Sequence, residues 1–495
     1  MTFASFSQAT VLKWYCDGFT GMQEYLCMLK CVNESSDQFK NNQEIKELVL
    51  CMNSENQSND TLVEYDGKFM NFDKEKQRKF QEHPYLHKGQ TLLKIDCDKI
   101  KEKKKAYVKN AYTLIKKYFA SRCDYEIVPE KGKHTNFQWT SYSKTSTFKK
   151  LIQGKQVINH IKNVQAALWE KNGLVHTLRE FDKKKMYKFD SNDFHFKTYI
   201  MNLQEEDYNE EEKSFMNNEN DGIWITKNPK GAKGIGITIF KDLNLLKETV
   251  KDLKSRREKI KQYSYIQEYL QDPLLINKRK VDLRGYILIA SVDPFVVLYQ
   301  DGFVRSCIAE YDNDFTVFDG EVPFKHLTNR SFQKKHPDFF EKKNDIMFNP
   351  DQFKEKLKEE YNLSDFDLAQ MQKEKHKILA YTMMAVKDKM KNQKGVFQLL
   401  GIDIIWDKNF NAKLIEFNVT PALYTELKPH RYVNPQLVQS TLDLVLETNA
   451  NQETLRQKWA QPEKLELGKY EILINEATGY NVLNEYLSQQ NGDEV

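Results

Sequence analysis

Three side chains with hard oxygen donors, Asp403, Glu416 and Asn418, lie in VFQLLGIDIIWDKNFNAKLIEFNVTPALY, residues 396–424. The stretch reads as two β-strands, Leu399 to Trp406 and Lys413 to Val419, rich in β-branched and aromatic residues. Asp407, Lys408, Asn409 and Asn411 supply the polar turn between them. With the turn centred between Asn409 and Phe410, antiparallel pairing sets Asp403 opposite Glu416. Asn418 shares the Glu416 face, because strand side chains alternate with period two. Two carboxylates and an amide on one face suit Mg2+, which takes a few protein oxygens and leaves its other positions to water and phosphates. Taken singly, each acid is an ordinary solvated strand residue. Both, however, sit inside apolar runs, where an unpaired charge is costly.

Further candidates lie upstream. DGIWITKNPKGAKGIGITIF, residues 221–240, reads as strand, glycine-rich loop, strand. Gly231, Gly234 and Gly236 let backbone approach phosphate oxygens, and Lys227, Lys230 and Lys233 bring positive charge. The Walker pattern is absent, and a strand follows instead of a helix. In SYIQEYLQDPLLINKRKVDLRGYILIA, residues 264–290, Tyr265 to Leu270 form a connecting strand whose backbone suits an adenine edge. Lys280, Asp282 and Arg284 alternate, so all three face one side of the next strand. Two cations flanking an acid are expensive to bury without an anionic ligand. PFVVLYQDGFVRSC reads as a hairpin whose second strand carries Arg305, and KHLTNRSFQKKHP carries Thr328 and Asn329.

The elements that must hold these residues follow from periodicity. Residues 8–52 have helical spacing, and 53–79 are polar and Asn-rich, as in a loop. Ile100 to Phe119 reads as one Lys-rich amphipathic helix, and Tyr125 to Val128 and Phe137 to Thr140 as strands. Residues 154–161 lead into a helix that Lys171 ends. Gln204 to Asp221, with one basic residue and no apolar period, reads as a mobile acidic loop. Leu368 to Met390 and Pro435 to Thr448 are amphipathic helices, and the last forty-odd residues read as a small polar docking appendage.

The 495 residues suffice for two to four domains with ample core. Seventy-five basic against 71 acidic residues is too even a balance to imply nucleic acid. No apolar run is long enough to span a bilayer, and the first residues lack a basic signal-peptide region. Seven cysteines without CxxC or framework spacing point to a reducing compartment, with Cys27 and Cys31 as buried thiols. His83 and His87 have metal-pair spacing, but Pro84 between them argues against the required helix. Without strong heptads a coiled-coil dimer is not expected, and the reading is a monomer.

WITKNPKGAKGIGI, YIQEYLQDPLLI, KVDLRGYILIA, DGFVRSC, HLTN, LLGIDI and LIEFNVTPAL, in this order, resemble the tubulin tyrosine ligase-like family of ATP-grasp ligases. The resemblance runs from about Asn159 to Thr448, and KHLTNRSFQKKHP with PALYTELKPHRYVNPQLVQSTLDLVLE is most similar to the polyglycylase members. It implies an α/β (α+β) chain with an ATP-grasp fold, preceded by a small α/β domain and a helical extension. The corresponding boundaries are 1–105 for the extension, 106–158 for the small domain, 159–271 for the central domain, 272–450 for the C-terminal ATP-grasp domain with the metal, and 451–495 for a polar tail.

The resemblance also implies roles. Lys227, with Lys171, would neutralise ATP phosphates beside the loop of Lys233, Gly234 and Gly236. Gln267 and the backbone of Glu268, Tyr269 and Leu270 would hold adenine, and Lys280 would contact nucleotide. Asp282 and Arg284 would line the nucleotide and acceptor side, while Arg305 would engage phosphate or the developing acyl-phosphate. Arg305, Arg284 and Lys227 are thus the catalytic candidates. Thr328 and Asn329 would meet ribose or the incoming amino acid, and Asp403, Glu416 and Asn418 would hold Mg2+. Asn228 and Ile235 depart from the family's proline and basic residue, so either Lys233 substitutes at the γ-phosphate or activity is reduced. The implied activity is ATP-dependent ligation of free glycine to acidic tubulin tails, with cytoplasmic and cytoskeletal placement at cilium, axoneme or basal body. A polyglutamylase and a catalytically silent microtubule-binding protein are the alternatives.

Overall fold

The computed structural model describes residues 95–488, apart from 110–111, 133, 232–235, 258–260 and 314–321. The expected segments at 8–52 and 53–79, the Cys27/Cys31 and His83/His87 pairs, and Lys233, Gly234 and Ile235 lie outside the described residues. The architecture is mixed α/β, as expected, with three sheets among the described residues.

The first sheet is parallel, with β1 (Lys104–Val108), β2 (Tyr125–Val128), β3 (Phe137–Trp139) and β4 (Val157–Ile158) in the order β2-β1-β3-β4. Here the single helix expected over 100–119 is corrected. Residues 104–108 form a strand, and the helix spans only Thr113–Ala120. Ala106 and Val108 are buried at period two, a spacing the longer helical pattern absorbed. The all-reduced reading of the cysteines is also corrected. Cys97 and Cys123, 26 residues apart, form a disulfide, while Cys307 is a buried free thiol. Sequence spacing could not show this pair, which the β1–β2 pairing brings together.

β5 (Thr198–Ile200), β6 (Trp224–Thr226), β7 (Thr238–Phe240) and β8 (Tyr265–Glu268) form an antiparallel sheet in the order β5-β8-β6-β7. Tyr199, Phe215, Trp224, Leu246 and Ile266 share its core. The acidic segment expected to be a mobile loop contains the helix Glu210–Met216. Asn209 caps it, accepting from the Glu212 N–H at 3.0 Å, and Glu212 accepts in return from the Asn209 N–H at 2.9 Å. Glu212 is fully buried, pairs with buried Lys254 at 3.0 Å and accepts from the Asn202 N–H at 2.6 Å. Charge composition cannot tell such an acid from its solvated neighbours.

The third sheet contains β9 (Leu275–Ile276), β10 (Arg279–Val292), β11 (Phe295–Ser306), β12 (Met347–Phe348), β13 (Gln398–Trp406), β14 (Ala412–Asn418), β15 (Glu471–Asn475) and β16 (Tyr480–Asn481). The main path is β14-β13-β10-β11-β15-β16, with antiparallel pairing throughout. The expected docking appendage therefore supplies two strands of this sheet, β15 and β16. The expected hairpin in PFVVLYQDGFVRSC is one continuous strand, because Asp301-Gly302 forms a bulge opposite Arg284/Gly285 instead of a turn. A Cβ at Gly302 would lie 2.1 Å from the Arg284 carbonyl oxygen, so only glycine permits this approach.

Both faces of this sheet are covered. Ile287, Ile289 and Val297 pack with Leu174 and Leu178 of the helix Lys171–Asp182 and with Ile378 and Leu379 of the helix Asp365–Lys387. Tyr286, Leu288 and Val296 pack with Leu437 and Leu442 of the helix Lys428–Thr448 and with Phe137 of β3. This last helix begins at Lys428 and not at Pro435, which lies inside it. Lys171 opens a helix where it was expected to close one. Residues 165–169 make a single wide turn, and Glu170 is extended before the new helix starts. Gly173 makes the junction possible, since a Cβ there would meet the Ala166 carbonyl oxygen at 1.7 Å. No described helix is long and apolar enough to cross a membrane.

Glu212→Ala strands the buried Lys254 ammonium and should cost about 3–5 kcal/mol. Urea unfolding followed by tryptophan fluorescence measures it, and Glu212→Leu combined with Lys254→Met should recover most of the loss.

Candidate active site

β10 is long enough, at 14 residues, to run past the core it helps to build. Tyr286, Leu288 and Ala290 belong to that core. Lys280, Asp282 and Arg284, at even positions on the same face, continue beyond it. Antiparallel register sets Asp282 beside Arg305 of β11 and Arg284 beside Asp403 of β13. The Arg305 guanidinium donates to Asp282 through Nε and Nη2, both at 2.7 Å, and to Asp403 through Nη2 at 2.9 Å. Arg284 donates to Asp403 from Nε at 2.5 Å and Nη2 at 3.2 Å. The Thr328 hydroxyl donates to Asp282 at 2.5 Å. Burial works against ionising Asp403, but Arg284 and Arg305 outweigh it and hold the carboxyl down at about 2.

Asp403 pairs with Glu416 in the register expected from sequence, by a different route. Trp406 pairs with Ala412 and Ile404 with Leu414, so the loop is centred on Asn409, and a bulge at Ile415 then restores Asp403 to Glu416. Glu416 forms an ion pair with Lys171 at 3.1 Å, and Lys171 also donates to the Gly231 carbonyl at 3.0 Å. A cation is disfavoured at the start of a helix, so Glu416 offsets a poor local position for Lys171.

Two more lysines enter the same space. Lys227 donates to Gln267 Oε1 at 2.7 Å, and Lys280 to the Tyr269 hydroxyl at 2.8 Å. Burial, aided by Lys171 and Lys280 against Glu416, brings the Lys227 ammonium down to about 7. Burial, opposed by Cys307 and Asp282, brings Lys280 down to about 8. Each would regain its proton affinity beside a polyanion.

These groups line a cleft with about 880 Å³ of void, open to solvent. Its lining divides chemically into charged residues, Lys171, Lys227, Lys280, Asp282, Arg305, Asp403 and Glu416, and apolar walls from Phe196, Ile225, Ile237, Leu270, Ile405 and Ile415. Tyr269, Thr328 and Asn329 also reach it. Gln267, Glu268, Gly236, Arg284 and Asn418 are not among its lining residues. The Gln267 amide is engaged by Lys227, Thr198 and Tyr265, and Arg284 approaches through Asp403. Sequence reasoning missed the apolar walls. Ile405 was within reach of it, since it follows Asp403 by two and must share its face; Ile415 was not, because it faces the cleft through the bulge. Among the described residues no group of three or more His, Cys, Asp or Glu side chains could hold a metal. The donor set here is two carboxylates and one amide, whose Nδ2 is buried without a partner.

The sequence profile of the tubulin-tyrosine ligase family matches residues 148–454, a span that contains every charged residue of this cleft. The chain belongs to that family. An ATP-grasp-like α/β fold is therefore the frame in which these sheets are arranged. Among similar proteins are the rat protein polyglycylase TTLL10, 26% identical over 68% of this chain and 52% of its own length, and the human inactive polyglycylase TTLL10, 29% identical over 52% and 39%. The probable alpha-tubulin polyglutamylase Ttll1 of Tetrahymena thermophila is 27% identical over 54% of this chain and 64% of its own length. The chain thus spans about half the length of the rat relative it matches. The TTLL10 relatives support a polyglycylase-like branch of the tubulin-tyrosine ligase family.

Asp403→Asn leaves two buried guanidinium groups short of their counter-charge and should cost about 3–5 kcal/mol, against about 1 kcal/mol for Thr328→Val. The Asp403 carboxyl is held below its ordinary 3.8, so its contribution is full above that value and is lost as pH falls through about 2. Denaturant midpoints of wild type and Asp403→Asn between pH 7 and 2 should converge accordingly.

Proposed function

We propose that this protein ligates free glycine to acidic tubulin tails, using ATP. The observation that carries this reading is the cleft itself, where apolar walls suited to a flat base adjoin three lysines suited to a polyphosphate. In the proposed reaction a glutamate carboxylate of the acceptor attacks the ATP γ-phosphate, ADP leaves, and the amine of glycine displaces phosphate from the acyl-phosphate. Lys171, Lys227 and Lys280 hold the phosphates, while Arg305 faces the negative charge that develops as the phosphoryl group moves and Arg284 acts through Asp403. The backbone through Leu270 receives adenine, and Thr328 and Asn329 receive ribose or the amino acid. Asp403, Glu416 and Asn418 would hold Mg2+, which when bound supplies charge neutralisation between phosphate oxygens. The donor set fits this role. Its ligating atoms would be carboxylate oxygens of Asp403, which Arg284 and Arg305 hold ionised, and of Glu416, which Lys171 engages through Oε2, with the amide oxygen of Asn418. So small a set suits a metal that arrives with the nucleotide. The cellular setting that goes with this activity is the microtubule cytoskeleton, including cilia.

A silent, microtubule-binding role is supported by Asn228 and Ile235 in the lysine loop and by the inactive designation of the human relative. Labelled glycine, glutamate and tyrosine offered with ATP, Mg2+ and tubulin separate the readings. Glycine transfer that Glu416→Ala abolishes is expected; glutamate transfer would make the enzyme a polyglutamylase, and microtubule binding without transfer would leave the silent role. Independently, ATP binding at pH 8 should take up about one and a half protons, because Lys227 is mostly and Lys280 about half neutral there and both recharge beside phosphate. Calorimetry in buffers of different ionisation heat measures this uptake, which should shrink at pH 6 and in Lys227→Met.

A further inference from the structure

Immediately after Thr328 and Asn329, which line the cleft, the chain enters a second cationic site that the phosphate lysines do not share. The Arg330 Nη2 and the Glu426 carboxylate form an ion pair, and the Lys334 Nζ lies 4.0 Å from the same Glu426 oxygen. The Glu426 backbone is held from behind. Arg431 Nη1 donates to the Glu426 carbonyl at 2.8 Å and to the Thr425 carbonyl at 3.2 Å. Asn434 donates to the Tyr424 carbonyl at 2.6 Å and accepts from the Tyr286 hydroxyl at 2.9 Å, which ties the loop to β10. The site therefore adjoins the strand that carries Arg284.

Two features mark Glu426 as an incomplete occupant. Charge is one: Arg330 and Lys334 are two cations on a single carboxylate, with Arg431 on the backbone carbonyls behind it, and His430 is kept neutral, its pKa lowered to about 3 by burial and by these cations together with Arg284. Geometry is the other. Glu426 engages Arg330 through Nη2, while the Arg330 Nε is buried without a partner. A guanidinium presents Nε and Nη2 as a fork that one carboxylate can take with both oxygens. The Glu426 side chain is 36% exposed, against 19% for Arg330, so it can leave while the arginine stays.

We propose that Arg330 and Lys334 form the subsite for a glutamate carboxylate of the acidic acceptor chain, and that Glu426 occupies it in the free protein as an internal stand-in. The occupant's identity as an acceptor rests on the ligase reading; the stand-in does not. An incoming carboxylate displaces Glu426, takes both Arg330 donors, and places its chain next to Asn329, which lines the cleft. Glu426 then acts as a built-in competitor that weakens binding of any segment less acidic than the true acceptor.

The test is the anisotropy of a fluorescent glutamate-rich peptide titrated with the full chain, without ATP. Glu426→Gln should tighten binding by about threefold to tenfold and Arg330→Gln should weaken it by about tenfold, with a smaller loss in Lys334→Gln. Arg330→Lys, which keeps the charge and removes the fork, should remain weaker than wild type. Glu426→Gln that binds no tighter than wild type would overturn the proposal. So would displacement of the peptide by free glycine, which would give the pair to the donor amino acid. Because binding needs no turnover, the two readings fail separately: peptide binding of this pattern without transfer removes the ligase reading alone, and glycine transfer with Glu426→Gln silent removes the subsite alone.

Discussion

The alternation of Asp282, Arg305, Asp403 and Arg284 across three adjacent strands is the interaction on which the rest of the site depends. Two acids and two guanidinium groups cancel in charge, and each is buried at a cost that only its neighbours offset. The arrangement requires β10, β11 and β13 to keep one register, since a slip of one residue would turn every member to the opposite face. The Gly302 bulge and the long β10 make that register possible. Thr328, bonded to Asp282, fastens the loop that carries Asn329 and Arg330 to the same network.

Against this neutral network the lysines stand out. Lys171, Lys227 and Lys280 face one another in partial desolvation, with Glu416 as the counter-charge paired to Lys171. Burial is the main origin of the depressed proton affinity of Lys227 and Lys280, and at Lys227 repulsion from Lys171 and Lys280 adds to it, a cost the fold carries in the absence of an anion. A polyphosphate reverses the sign of that interaction. One part of the cleft is thus electrostatically complete, and the other is electrostatically unfinished, a division suited to holding an anion against a paired frame.

The chain's departures from simple pattern reading share a cause. The helix over Glu210–Met216 hid in an acidic run because burial of Glu212 against Lys254 is a tertiary event. Asp301-Gly302 looked like a turn because local chemistry cannot distinguish a hairpin from a bulge in a strand flanked on both sides. The C-terminal strand β15 reads as polar tail because part of its stabilisation comes from backbone pairing with β11, which side-chain composition does not encode. Membership in the tubulin-tyrosine ligase family, by contrast, was legible from short ordered motifs, and the α/β class with it.

By itself the sequence determined which residues could do chemistry and which of them share a strand face, because period-two alternation is a local property. Lys280, Asp282 and Arg284 on one side of β10 needed nothing more, whereas Asp403 opposite Glu416, though expected from the turn, is delivered by the bulge at Ile415. Tertiary structure alone decided who neutralises whom: Arg305 between Asp282 and Asp403, Lys171 on Glu416 from the start of a separate helix, Glu426 on Arg330. It also decided that apolar walls from two sheets meet across the lysines. Those outcomes depend on how distant segments pack, and charge pairing across 245 residues, from Lys171 to Glu416, leaves no periodic trace in the chain.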